Sequence, residues 1–168
     1  MKSDPYDILL GHNRWANLEI LNWCRALGVD QFHRRFEIGP GSLHDTMTHV
    51  VGCIERWSDR IDGRVLRPSL EGDGGEMPRR TLTELIALND AACVDFARVV
   101  DRQRSKLAEV RDWTFGQQKY RFNVAGAILH VTNHGMHHRA QCMNMLRHCG
   151  VKFDADLSEL EWQISGEP

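Results

Sequence analysis

Residues 123–150, NVAGAILHVTNHGMHHRAQCMNMLRHCG, decide the fold. They predict one long helix, from about Asn123 to Cys149, with Gly150 placed to cap its C-terminus. At about 100° per residue, Val124, Ala127, Val131, Cys142, Met145 and Cys149 fall in one narrow stripe. His134 and His138 lie inside that stripe, one turn apart, so the pair faces the core.

Working back toward the N-terminus, the same spacing recurs three times. Between Asp4 and about Leu27, the residues Ile8, Leu9, Trp15, Leu18, Leu21 and Cys24 repeat at three- and four-residue steps, with Asp4 as a cap and Pro5 in the first turn. The stretch GVDQFHRRFEIGPG (28–41) reads as a connecting loop. A second helix opens at Ser42, where Asp45 stands three residues on in a variant of the capping box. It runs to about Asp62, with Leu43, Met47, Val50, Ile54, Trp57 and Ile61 as its stripe. DGRVLRPSLEGDGGEMPRR (62–80) is rich in Gly, Pro and charge, which predicts a long mobile surface excursion. Thr81, with Glu84 three residues on, starts a third helix that fades in RQRSK (102–106). In EVRDWTFGQQKYRFN (109–123) the period changes, with Val110, Trp113, Phe115, Tyr120 and Phe122 flanking Gly-Gln-Gln. That pattern predicts a short hairpin or extended segment. The tail after Gly150 offers one or two acidic amphipathic turns around Leu157, Leu160 and Trp162. The expected fold is therefore all-α, one four-helix-bundle domain over residues 1–168. In such bundles, metal and ligand sites are built from side chains projecting inward from facing helices.

Composition narrows the function classes. The chain has 168 residues, 26% of them charged, with a formal net charge of -2, and so offers no basic surface for nucleic acid. Five cysteines without a CxxC pair suggest neither a disulfide framework nor a zinc ribbon, and a reducing cytoplasm is expected. No stretch has the apolar length needed to cross a bilayer.

Histidine stands out, with nine. Imidazoles at i and i+4 on one helix face can chelate one ion, the geometry that lets HExxH helices bind zinc. Here no glutamate separates them, so the on-helix general base of zinc proteases is missing. One core histidine is most simply satisfied by a hydrogen bond. Two on one apolar stripe would each need a buried partner, and a shared cation serves both. A third ligand must come from elsewhere. His44 and His49 are the candidates, each roughly 110° from the centre of the second helix's stripe; phase does not separate them, although His44, in the first turn, is expected to be the more solvated. His130, His137 and His148 form a row about 80° from the ligand stripe; exposure is the default reading for the row, and His130, His137 and Gln141 are the candidates for secondary or substrate-facing groups. Cys53, one turn after His49, is a packing residue by default and a nucleophile or fourth ligand otherwise.

Three segments together carry a resemblance. HNRWANLEIL (12–21), SLHDTMTHVVGCIERW (42–57) and above all LHVTNHGMHHRAQ (129–141) resemble the DinB family, the DinB/YfiT-like bacterial four-helix bundles named for damage inducibility. In the last segment asparagine-histidine is followed four residues later by histidine-arginine, with Ala140 where the family usually has glycine. The resemblance implies a divalent metal, zinc or nickel, on His49, His134 and His138, and a homodimer. It also implies membership of a group that includes thiol-dependent transferases using small thiols as cosubstrates. Three neutral imidazoles leave coordination positions open, as catalytic metal sites do. The expected function is a metal-dependent, thiol-dependent transferase acting on a small molecule. The alternatives are a hydrolase using metal-bound water and a non-enzymatic, stress-induced metal-binding protein.

Overall fold

The computed structural model describes residues 4–74 and 77–166. Six α-helices and one hairpin follow in the order α1 (Pro5–Trp23), α2 (Val29–Phe32), α3 (Leu43–Asp62), α4 (Leu82–Gln103), β1 (Val110–Phe115), β2 (Gln118–Asn123), α5 (Val124–His148) and α6 (Glu159–Ile164). The all-α expectation is thereby amended: the chain is mostly helical and also carries a two-stranded antiparallel sheet. The four long helices are the four expected, within a few residues at each end. Residues 28–41 are not purely loop, since one helical turn, α2, seats Phe32 in the core.

The caps follow their local chemistry. Asp4 accepts hydrogen bonds from the amides of Tyr6 and Asp7. Thr81 and Glu84 form both halves of a capping box, whereas Ser42 supplies only its own half by accepting from the Asp45 amide. The Asp45 carboxylate turns instead to Arg35 and to His44 Nδ1, because a charge-assisted pair outcompetes a single backbone donor.

α1 and α3 each pack against both α4 and α5, so the four helices enclose a common interior. One apolar cluster gathers Ile54, Trp57, Phe96, Val99 and Ile128 toward the hairpin end. The other gathers Ile20, Leu43, Met47, Met145 and Leu146 toward the tail. Burying each such side chain contributes roughly 1.5–3 kcal/mol.

α1 departs from its sequence pattern. Its buried face holds His12, Asn13, Ala16, Asn17 and Ile20, while Ile8, Leu9, Trp15 and Leu18 are only half-buried. The polar members are matched individually. The buried Arg139 guanidinium donates to Asn13 Oδ1 at 2.7 Å and Asn17 Oδ1 at 2.9 Å, Asn17 donates to Asn89, and His12 Nε2 meets the Leu157 carbonyl at 2.7 Å. Burial holds Arg139 down to about 10. In the tail, α6 buries Trp162 and leaves Leu160 71% exposed, so only part of the expected apolar face is used.

The hairpin turns at Gly116, whose φ of 59° suits the first central position of a two-residue loop. Its register pairs Trp113 with Tyr120 and Arg111 with Phe122. Period-2 alternation then puts Trp113, Phe115, Tyr120 and Phe122 on one face, which lies against Trp57 of α3. Val110 points the other way and is exposed.

Residues 63–80 are more than a surface excursion. Arg64 and Arg67 strap the segment to Asp59 and Asp95, Leu70 packs on the core, and Glu71 reaches His49. Gly75 and Glu76 lie outside the described residues.

Candidate metal centre

α3 and α5 face each other, and their contact surface brings together His49, His134 and His138. One ligand-capable atom from each lies within 4.8 Å of the others. The Nε2 atoms of His49 and His138 each stand 3.1 Å from Nε2 of His134. In a tetrahedral zinc site the nitrogens sit about 2.0–2.1 Å from the ion, hence about 3.3 Å from one another, close to the two spacings of 3.1 Å about His134.

Tautomers sharpen that fit. His49 Nδ1 meets Glu71 Oε1 at 2.9 Å, and His138 Nδ1 meets Gln141 Oε1 at 2.8 Å. Each oxygen is an acceptor, so each Nδ1 carries the proton and donates it. The Nε2 atoms of both rings are left as bare lone pairs, aimed at the Nε2 of His134. That third nitrogen can donate one proton to one neighbour at most, which leaves a lone pair facing a lone pair. A protonated imidazole does not relieve the conflict: burial, reinforced by the neighbouring histidines, pushes His134 down to about 3. His138 is also lowered, by burial first, against the opposing effect of its hydrogen bond to Gln141. A divalent cation between the three nitrogens resolves the geometry, and the donor set fits one. Outer-shell partners of this kind fix ring orientation and raise ligand basicity in metal sites.

Other sequence candidates fall outside this trio. His44 is buried at 1% exposure, contrary to the expectation of a solvated first-turn residue. Its two nitrogens are committed to Asp45 and to the Arg80 amide. Cys53 stands in the wall of the adjoining cavity, and burial raises its thiol to about 12, so it is neutral. His130 is in the same wall, with ring contacts to Trp57 and His134. His137 is exposed and touches Gln141, and His148 lies by Phe36, away from the centre.

Gln141 is confined from outside. A Cβ on Gly39, whose φ is 51°, would stand 2.1 Å from Gln141 Oε1, so the loop after α2 presses backbone against the amide that orients His138. Sequence reasoning missed Glu71, which comes from the Gly- and Pro-rich segment where no periodicity applies.

Beside the centre opens a cavity of about 650 Å³, lined by His49, Cys53, Trp57, Phe115, Phe122 and His134 among others. That volume is ordinary for a small-molecule site.

A model of the DinB family matches residues 1–164. The chain belongs to the DinB family. A curated relative, Protein DinB of Bacillus subtilis (strain 168), is 24% identical over 151 residues, 84% of this chain and 84% of that protein. The sequence resemblance to the DinB family, first seen in three segments, thus extends over nearly the whole chain. Among the described residues, no helix of this DinB-family chain is long and apolar enough to cross a membrane.

Proposed function

We propose that this DinB-family protein holds a divalent metal, zinc or nickel, on His49, His134 and His138 within a four-helix-bundle scaffold. In this reading it is a metal-dependent enzyme of the thiol-dependent transferase type. The observation that carries the metal is the convergence of three Nε2 atoms whose opposite nitrogens, in two of the rings, are already committed as donors. A divalent ion bound there supplies Lewis acidity and lowers the pKa of a water or thiol that joins it.

The remaining work falls to the chain. Glu71 and Gln141 hold two imidazoles in the ligating tautomer. The aromatic wall of Trp57, Phe115 and Phe122 excludes water and receives an organic ligand, and His130, without a hydrogen bond among the described residues, is free to orient it. Thiol transfer is preferred over hydrolysis on the strength of the family resemblance. Among the described residues, Glu71 is the one carboxylate in the cavity wall, and it is tied to His49, so His130 is the group left to move a proton in either chemistry.

Elemental analysis of protein purified without a nickel column tests the metal. About one ion per chain is expected in the native protein and in His44→Ala, with loss in His49→Ala and His134→Ala. Stoichiometric metal retained by His134→Ala would break the assignment. Calorimetric titration of the metal-loaded protein with 2-mercaptoethanol tests the chemistry: binding heat is expected, and its absence, with ester turnover that needs no thiol, would establish the hydrolase instead.

A further inference from the structure

His49, Gly52, Cys53, Arg56, Trp57 and Arg60 follow the spacing i, i+3, i+4, i+7, i+8, i+11, a single face of α3, and all six line the cavity. One end of that face carries the histidine centre and the other carries two guanidiniums. The arginine Cα atoms stand about 10 and 16 Å along the helix from that of His49, at 1.5 Å rise per residue.

These two arginines differ from their neighbours. Arg64 pairs with Asp95, Arg67 with Asp59, and Arg102 with Asp62. Arg56 and Arg60 have no carboxylate partner among the described residues. Their contacts are backbone carbonyls: Arg56 Nη1 donates to Arg67 O at 3.1 Å, and Arg60 Nη1 to Arg56 O at 3.3 Å. Arg60 Nε is buried with no acceptor among the described residues. Its guanidinium lies 4.8 Å from the Phe115 ring centre and 5.7 Å from that of Trp57. Two like charges one helical turn apart repel, and half-buried charged donors beside aromatic rings are costly without an anion. The remaining charged group of the wall, Glu71, is engaged by His49.

We infer that the cavity binds an organic anion: a small molecule whose carboxylate is held by Arg60 and Arg56 and whose apolar body lies on Trp57 and Phe115. The molecule is extended enough for its far end to reach the three-histidine centre. The inference deepens the proposed function and rests on it for the reacting end alone; the carboxylate preference needs no metal. Burial, and then Arg56, lowers the Arg60 pKa below its usual value, in keeping with a cation that lacks a counter-ion.

The test is isothermal titration of the full-length protein with 4-phenylbutyrate and its neutral isostere 4-phenylbutyramide, on native protein, Arg60→Gln, Arg60→Lys, the Arg56→Gln/Arg60→Gln double variant and His134→Ala. Far-UV circular dichroism checks folding of each. A charge-assisted hydrogen bond predicts that native protein binds the carboxylate about tenfold or more tightly than the amide. That preference should persist in His134→Ala, fall in Arg60→Gln, survive partly in Arg60→Lys and vanish in the double variant. Equal affinity for the two probes in native protein, or binding of neither at millimolar concentration, would overturn the inference. So would a preference that survives the double variant but disappears in His134→Ala, because the anion would then sit on the histidine centre. In that case the metal reading would stand while the substrate class fell.

Discussion

Replacing Gly135 by alanine tests how tightly α1 and α5 are locked behind the histidine centre. Alanine is the better helix former by about 1 kcal/mol, so an exposed position would gain stability. Here a Cβ would stand 2.7 Å from Asn13 Oδ1 and 3.0 Å from an Arg139 Nη1. Neither atom can step aside freely. Asn13 is a short, buried side chain on the facing helix, and its oxygen is one of two that hold the buried Arg139 guanidinium. Overpacking costs about 1–3 kcal/mol, and a weakened hydrogen bond to a buried cation costs about 1.5–3 kcal/mol. After the propensity gain the net loss is about 1.5–5 kcal/mol, or roughly 3–20 °C in Tm for a chain of this length. Urea unfolding followed by far-UV circular dichroism measures it. Asn13→Ala removes the obstructing oxygen, so the double variant should be less destabilised than the sum of the singles by about 1–2 kcal/mol. A Gly135→Ala protein as stable as its parent would refute the close approach of the two helices.

Three further outcomes follow from individual contacts. Glu71→Gln keeps the shape but loses the charge that holds His49 Nδ1, and chelator competition should show metal affinity reduced by about tenfold; an unchanged affinity would remove Glu71 from the site. Burial raises the Asp59 pKa, but the Arg67 hydrogen bonds outweigh it, and the net shift is downward. Its stabilisation is therefore present in full above the unfolded pKa of about 4 and lost as pH falls below it. Asp59→Asn should cost about 1–3 kcal/mol at pH 7 and flatten the acid limb of a stability–pH curve, and equal losses at pH 7 and pH 3 would count against it. The Cys53 thiol, raised to about 12 by burial, should be alkylated by iodoacetamide at pH 8 roughly a thousandfold more slowly than a free thiol. Peptide mass spectrometry reads this, and a rate equal to that in urea would contradict it.

The long helices were legible because periodicity and caps are local. Asp4, Ser42, Thr81 and Gly150 all mark ends close to those the structure adopts. Helical phase put His134 and His138 together, since four residues on one helix fix the separation of two side chains. It could not choose between His44 and His49, which lie at similar angles on either side of that helix's apolar stripe. The structure separates them through Asp45 and the Arg80 amide, which use both nitrogens of His44. α1 misled for a related reason. An apolar stripe was sought, but the face that docks carries Asn13 and Asn17, and its complement is an arginine 122 residues beyond Asn17. Polar residues matched across such a span leave no mark in a hydrophobicity pattern.

The arginines show where local reading fails altogether. Arg56, Arg60, Arg64 and Arg67 all lie close in sequence to Glu55, Asp59 and Asp62, and in the chain each looks equally able to find a carboxylate. What separates them is the path of residues 63–72. By folding back along α3, that segment gives Asp59 to Arg64 and Arg67, with Asp95 of α4 completing the cluster, and leaves Arg56 and Arg60 facing the aromatic wall alone. The same fold-back delivers Glu71 to His49. One irregular segment thus removes competing carboxylates from the cationic end of the cavity and places its own carboxylate at the histidine end. Charge along the cavity is therefore set by a loop, although every residue that bears on the ligand from α3 sits on one regular helical face.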